Sequence, residues 1–173
     1  MVAAAALAFG GWAFLVAGET NSLKGLPYTF LFALAMFLLG FYDDLRNLSP
    51  LFRFMVQFVL ASLLLLFLAP LLPDVPLWKW VLPGWVWIAP GAIWAIWMLN
   101  LYNFMDGIDG LAGGDATVAS SFFFVVFAYY GEAGWASANL FIGAASMGFL
   151  VHNWPPARVF IGDAGSEFLG AFY

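Results

Sequence analysis

The chain has 173 residues, of which 65% are apolar, 20% are aromatic and only 9% are charged. Soluble domains carry about 25% charged residues, and a globule of this size exposes too much surface to hide so many apolar side chains from water. Five basic against ten acidic residues exclude a basic surface for nucleic acid. The absence of cysteine excludes disulfides and zinc–thiolate sites. The composition therefore predicts a polytopic membrane protein.

Six apolar runs are candidates for membrane-spanning helices. A helix needs about 20 mostly apolar residues to cross a bilayer, and in lipid its backbone polar groups have to be satisfied within the span. The predicted spans are Val2–Ala17, Tyr28–Tyr42, Phe52–Leu72, Gly84–Tyr102, Thr117–Tyr130 and Ala136–Val151. A seventh run begins at Phe168. The sequence contains no internal repeat, so we predict one all-α transmembrane domain over residues 1–173.

The polar segments between these runs alternate between the two sides of the membrane. They are Gly18–Pro27, Asp43–Pro50, Pro73–Pro83, Asn103–Asp115, Gly131–Trp135 and His152–Ser166. Because each span crosses once, the segments that begin at Asp43, Asn103 and His152 are predicted to face one compartment. Three arginines fall on that side and two lysines on the other, which favours the arginine side as cytoplasmic.

The acidic residues are concentrated on the same side. Of the ten in the chain, seven are placed there: Asp43, Asp44, Asp106, Asp109, Asp115, Asp163 and Glu167. Neighbouring carboxylates repel one another unless a cation compensates them. The concentration predicts a functional site on this side, and three constellations contribute to it.

The first constellation is the pair Asp43-Asp44 at the end of the second predicted span. Acidic residues oppose the macrodipole at a helix C-terminus, and charges near the hydrocarbon are costly and often functional. Arg46 and Arg53 are nearby partners or phosphate ligands. The alternative is a solvated helix end.

The second constellation spaces Asn103, Asp106 and Asp109 at intervals of three, with glycines at 107 and 110. Oxygen ligands without His or Cys suit Mg²⁺, or Mn²⁺, rather than zinc or copper. An ordinary Asp-Gly turn is the alternative. The spacing does not fit an EF-hand, and no lysine follows the glycines as a Walker loop requires.

The third constellation is Ile161-Gly162-Asp163-Ala164-Gly165-Ser166-Glu167, which precedes the last apolar run. Glycines at the start of a helix expose backbone N–H groups that suit a phosphate. Asp163 is a candidate metal ligand or, alternatively, an N-terminal cap. His152, the one histidine, is interpreted as interfacial. Carboxylates, glycine-rich turns and arginines on one side together favour phosphoryl transfer, which relies on positioning and charge neutralisation.

In these three segments the sequence resembles the polyprenyl-phosphate N-acetylhexosamine-1-phosphate transferases of glycosyltransferase family 4. The matching stretches are FLLGFYDDLRNLSPLFRFMVQ (Phe37–Gln57), NLYNFMDGIDGLAGG (Asn100–Gly114) and GFLVHNWPPARVFIGDAGSEFLG (Gly148–Gly170). The resemblance implies transfer of a sugar 1-phosphate from a UDP-sugar to undecaprenyl phosphate, with release of UMP and a need for Mg²⁺. It also implies a multi-pass protein of the bacterial inner membrane whose active site faces the cytoplasm.

The resemblance assigns roles to individual residues. Asp43 and Asp44 match an aspartate pair of the active site, one member being the proposed base for the lipid phosphate. Asp106 and Asp109 join them as predicted catalytic residues, and Asp163 with Asp106 is predicted to bind the metal. The predicted substrate-binding residues are Asn103, Arg53, Asn153, Phe160, Gly162, Gly165 and Ser166. The expected partners are a UDP-N-acetylhexosamine, undecaprenyl phosphate and membrane lipid, and a homodimer is one alternative for the oligomeric state.

The segment NWPPARVFIGD (Asn153–Asp163) resembles enzymes that initiate O-antigen, enterobacterial common antigen or teichoic-acid linkage synthesis more than the peptidoglycan branch. We therefore expect a UDP-GlcNAc-like donor, with a 6-deoxy N-acetylhexosamine as an alternative and phospho-MurNAc-pentapeptide as the alternative within the family. Two cytoplasmic motifs of the longer family members are missing, so the chain is expected to be a fragment truncated at both ends. A cation or proton transporter is the alternative from another class, but its carboxylates would lie near the bilayer midplane.

Overall fold

The computed structural model describes residues 25–68, 75–77 and 79–173. Its helices are α1 (Leu26–Arg46), α2 (Pro50–Leu68), α3 (Ile88–Asp106), α4 (Leu111–Tyr129), α5 (Ala133–Asn153) and α6 (Gly162–Phe172). Between α2 and α3 a short antiparallel hairpin pairs β1 (Val75–Leu77) with β2 (Trp80–Leu82), and a 3₁₀ turn (Gly84–Trp87) leads into α3. The first predicted span, Val2–Ala17, lies outside the described residues.

Four of the described helices are long and apolar enough to cross a membrane: α1, α2, α4 and α5. Large apolar side chains cover their outer faces, as Leu31 on α1, Leu66 on α2 and Val125 on α4 show. Helices that expose this much apolar surface on the outside are expected in lipid rather than in water. The described part of the chain is thus helical apart from the hairpin and has the character of a membrane protein.

The short helix α6 lies at the centre of the packing, and nine consecutive residues, from Ala164 to Phe172, are buried. It packs most extensively against α1 and next against α3, while α4 and α5 pack as a pair. Glycines permit the close approach: a Cβ built on Gly40 of α1 would lie 2.7 Å from the backbone nitrogen of Ala164. On α6 itself, a Cβ on Gly170 would lie 2.6 Å from the Cα of Leu99. Backbone therefore packs against backbone on two sides of α6.

The predicted polar segments were drawn too long, because the helices continue through most of them. The connection after α1 comprises only residues 47–49, the one between α3 and α4 residues 107–110, and the one between α5 and α6 residues 154–161. A prediction from apolar runs ends a span at its first polar side chain, whereas the backbone hydrogen bonds of a helix join N–H and C=O groups four residues apart whether the side chains are polar or apolar. Consequently Asp43 and Asp44 lie in the last turn of α1, and Asn103 and Asp106 lie near the end of α3.

Candidate active site

Arg53, in the first turns of α2, contacts three carboxylates, one from α1 and two from α6. Its Nη1 donates to Oδ2 of Asp43 at 2.6 Å and to Oδ2 of Asp163 at 3.3 Å. Its Nε lies 3.7 Å from Oε1 of Glu167. Asp43 is 5% exposed, and its Oδ1 also accepts a hydrogen bond from the backbone N–H of Leu48. The ends of α1, α2 and α6 are therefore joined at one cluster of charges.

Asp44 turns away from its neighbour and binds the beginning of α6. Its Oδ1 accepts from the backbone N–H of Asp163 at 3.1 Å, and its Oδ2 accepts from that of Ala164 at 3.2 Å. These N–H groups have no partner within the helix and carry the positive end of its dipole. A carboxylate from α1 therefore caps α6 from outside the helix.

Asp106 likewise binds backbone N–H groups, those of the two residues that directly precede the pair bound by Asp44. Its two carboxylate oxygens accept from the backbone N–H groups of Ile161 at 3.0 Å and Gly162 at 2.9 Å. Gly162 has φ of +75°, a left-handed conformation that glycine adopts without strain. The amides predicted to bind phosphate thus hold the carboxylates of Asp44 and Asp106 in this structure.

The remaining residues of the third constellation lie further inside. Gly165 and Ser166 are buried within α6, and the Ser166 hydroxyl donates to the backbone oxygen of Asp163 at 3.3 Å. Asn103 reaches the cluster from α3, where its Nδ2 donates to Oδ1 of Asp163 at 2.8 Å. Both carboxylate oxygens of Asp163 are therefore hydrogen-bonded. Burial, followed by the neighbouring Asp43 carboxyl, raises the pKa of Asp163 above its ordinary value.

Hydrogen bonds join the connection between α5 and α6 to the turn between α3 and α4. Asn153, 1% exposed, accepts at Oδ1 from the backbone N–H of Gly110 at 2.9 Å and donates from Nδ2 to the backbone oxygen of Val159 at 2.8 Å. Asp109 accepts from the backbone N–H of Ala157 at 2.9 Å. Phe160, in the same connection, is half exposed. The structure thus places Asn153 and Asp109 as supports of this connection, and a contact with substrate stays a prediction for both.

The two hydrogen bonds of the Asn153 side chain can be tested by substitution. Replacing Asn153 with alanine removes both buried hydrogen bonds, at a cost of about 1–3 kcal/mol. We expect faster hydrogen exchange at the Gly110 amide. Asn139→Ala is the matched control, since this equally buried asparagine of α5 donates to Trp135 of its own helix. Equal exchange at Gly110 in both variants would contradict the assignment.

The donor chemistry of the cluster fits magnesium in part. Within the described residues, no group of three or more His, Asp or Glu side chains is arranged to hold a metal ion on its own. Mg²⁺, however, is commonly bound through one or two carboxylates together with substrate phosphates. Asp43 and Asp163, which contact the same Arg53 nitrogen, form such a pair. Asp106, the other predicted metal ligand, already binds two backbone amides.

Sequence reasoning gave no site role to Glu167 and Gln57, the inner part of the cluster. Glu167 is fully buried, and its Oε1 accepts from Nε2 of Gln57 at 2.8 Å. Oε1 of Gln57 in turn accepts from Nδ2 of Asn100 at 3.3 Å. The available signal was helical spacing, because Gln57 lies four residues after Arg53 and Glu167 lies four residues after Asp163. Residues four apart share a helix face, so the inner residues follow from the outer ones.

Comparison with known proteins places the chain in a family. The sequence profile described as glycosyl transferase family 4 matches residues 26–173, which include the three segments just described. The chain belongs to glycosyl transferase family 4.

Curated relatives agree with the family match. The chain is 32% identical over 145 residues to the "probable undecaprenyl-phosphate N-acetylglucosaminyl 1-phosphate transferase" of Bacillus subtilis, covering 80% of this chain and 39% of the relative. It is 32% identical over 148 residues to the "undecaprenyl-phosphate alpha-N-acetylglucosaminyl 1-phosphate transferase" of Thermotoga maritima, covering 83% and 42%. It is 34% identical over 163 residues to the "phospho-N-acetylmuramoyl-pentapeptide-transferase" of a Synechococcus strain, covering 82% and 44%. The matched region thus spans less than half the length of each of these three relatives.

Proposed function

We propose that the protein transfers an N-acetylhexosamine 1-phosphate from a UDP-sugar to undecaprenyl phosphate and thereby initiates a cell-surface polysaccharide. The main support for this proposal is the cluster in which Arg53 contacts both Asp43 and Asp163. It joins a cation to two carboxylates at one end of apolar helices. Such a site suits a water-soluble phosphate donor that meets a lipid acceptor. The family match and the names of the relatives support the same reaction class.

In the direct form of this reaction, to which a two-step route through a covalent intermediate is the alternative, an oxygen of the lipid phosphate attacks the β-phosphorus of the UDP-sugar. The bond from that phosphorus to the bridging oxygen breaks, and UMP leaves with the bridging oxygen. We assign Asp43 or Asp44 as the base that takes any proton from the lipid phosphate, and Arg53 as a donor to phosphate oxygens. Asn103 fixes Asp163 through the hydrogen bond to its Oδ1. Catalysis then comes mainly from positioning and charge neutralisation.

We propose that the reaction requires Mg²⁺. Asp163 is its principal proposed ligand, and the carboxylates of Asp43 and Asp106 lie next to it in the site. Mg²⁺, when bound, neutralises the charge that develops on the transferring phosphate. The cluster without it contains three acidic side chains around one arginine. This excess of acidic groups supports a cation requirement.

We propose a UDP-GlcNAc-like donor and a site on the cytoplasmic face of the bacterial inner membrane, with six spans and the start of a seventh. The three arginines near this end of the helices, Arg46, Arg53 and Arg158, support this orientation. Phospho-MurNAc-pentapeptide is the second candidate for the transferred group, because a relative named for it is 34% identical. The two candidates differ in the donor and share the acceptor and the chemistry.

A donor panel tests the function. Membranes containing the full-length protein are incubated with undecaprenyl phosphate, Mg²⁺ and one of three donors: UDP-GlcNAc, a UDP-6-deoxy-N-acetylhexosamine or UDP-MurNAc-pentapeptide. We expect UMP release with an N-acetylhexosamine donor, dependent on the lipid and abolished by a chelator. Release with the pentapeptide donor alone would select the second candidate. Background release with every donor would contradict the transferase.

A further inference from the structure

The inner carboxylate, Glu167, has a position that the proposed reaction does not explain. It is fully buried in the centre of α6, and its Oε2 is buried without a hydrogen-bond partner among the described residues. Burying a carboxylate is costly unless it is paired. The available cation is Arg53, whose Nε lies 3.7 Å from Oε1 of Glu167. The carboxylate of Glu167 therefore faces the guanidinium of Arg53.

The nitrogen atoms of the Arg53 guanidinium face different partners. Nε is on the side of Glu167, and Nη1 is on the side of Asp43 and Asp163. Among the described residues, none accepts a hydrogen bond from Nη2. Because the guanidinium is planar with a rigid fork of donors, fixing Nε and Nη1 also fixes the direction of Nη2. The Arg53 side chain is 22% exposed, so the group is not sealed off from the outside.

We propose that Glu167 is a positioning residue that acts through Arg53. It orients the guanidinium so that Nη1 bridges Asp43 and Asp163 while Nη2 is presented to a phosphate oxygen of the substrate. Gln57 assists by holding Oε1 of Glu167 from the same face of α2 that carries Arg53. The consequence for turnover rests on the proposed function, whereas the consequence for Arg53 does not.

The test compares Glu167→Gln with Glu132→Gln in the full-length protein. The first substitution keeps shape and hydrogen-bonding capacity but removes the charge beside Arg53. The second removes a charge from the other described glutamate that has a buried, unpartnered oxygen, next to the start of α5. Phenylglyoxal modification of arginine is followed by mass spectrometry. We expect Arg53 to react several times faster in Glu167→Gln, with the exposed Arg46 of the same chain unchanged. The control is expected to change neither rate.

Turnover supplies the second readout. Substitutions of contacting residues that act together are non-additive in double-mutant cycles. We expect Glu167→Gln to lower kcat/KM about tenfold and to have no further effect in an Arg53→Lys background. A structural role would instead lower activity equally in both backgrounds. The double variant Gln57→Glu with Glu167→Gln returns a carboxylate to this pair, so it should recover part of the rate and of the Arg53 protection.

The outcomes separate the two proposals. Unchanged Arg53 modification in an active Glu167→Gln protein would overturn the positioning role, as would equal losses of activity in the two Arg53 backgrounds or no recovery in the exchanged pair. A wild-type protein that releases no UMP would overturn the proposed reaction. Faster Arg53 modification in that case would still support the contact between Glu167 and Arg53.

Discussion

Replacing Asp163 with asparagine is expected to lower UMP release by the full-length protein at least about a hundredfold, a loss typical of removing one electrostatic contributor from a preorganised site. Asp163 is the carboxylate on which the cluster converges, because Arg53 donates to one of its oxygens and Asn103 to the other. The amide side chain keeps nearly the same shape while losing the charge that Arg53 and the proposed metal require. The initial rate at saturating donor and lipid measures the loss.

The matched control for this prediction is Asp115→Asn. Asp115 lies in α4, where its Oδ2 accepts a hydrogen bond from the Tyr102 hydroxyl at 2.7 Å, and it has no place in the proposed reaction. We expect this control to keep most of the wild-type rate. A folded Asp163→Asn protein with wild-type turnover would remove Asp163 from the site and with it the proposed metal position.

Replacing Gly40 with alanine is expected to destabilise the protein by about 1–3 kcal/mol, the usual cost of overpacking. Alanine ordinarily stabilises a helix relative to glycine by about 1 kcal/mol. At this position, however, the added Cβ would lie 2.7 Å from the backbone nitrogen of Ala164. Backbone cannot move aside as a flexible side chain can, so α1 and α6 would be forced apart. The thermal unfolding temperature of the full-length protein measures the effect.

Gly114→Ala controls for the change in helix propensity. Gly114 also lies in a helix, α4, but nothing lies within 4 Å of a Cβ built on it. The unfolding temperature of this variant should stay the same or rise. A Gly40→Ala protein that unfolds at or above the wild-type temperature would show that α1 and α6 are not packed backbone against backbone.

The membrane character and the grouping of the three constellations were predictable from sequence. Span parity placed Asp43, Asn103 and His152 on one side, and the contacts of Asp44, Asn103 and Asp106 with residues 161–164 confirm that the constellations meet. Because the chain contains few charged residues, their positions between the apolar runs were enough to predict that they group on one side of the membrane. The resemblance to the transferase family is confirmed by the profile match.

The partners of each carboxylate were not predictable. Asp44 and Asp106 were assigned to catalysis and metal, whereas in the structure they also bind the backbone amides around Gly162. Which amide a side chain binds depends on the packing of α6 between α1 and α3, which no local pattern encodes. Glu167 was likewise placed in the third constellation and on the acidic side of the membrane, but it was given no catalytic, binding or metal role. Its burial becomes evident only once α6 is seen at the centre of the bundle.

In the proposed reaction a sugar phosphate, rather than a sugar, is transferred, and the two possibilities differ in where the β-phosphate of the donor goes. The full-length protein is incubated with undecaprenyl phosphate, Mg²⁺ and a UDP-N-acetylhexosamine labelled with ³²P at the β-phosphate. Phosphoryl transfer breaks the bond between the two donor phosphates, so we predict that the label enters the lipid fraction while unlabelled UMP is released. Label retained in UDP, or in unreacted donor, would contradict phosphoryl transfer by this protein.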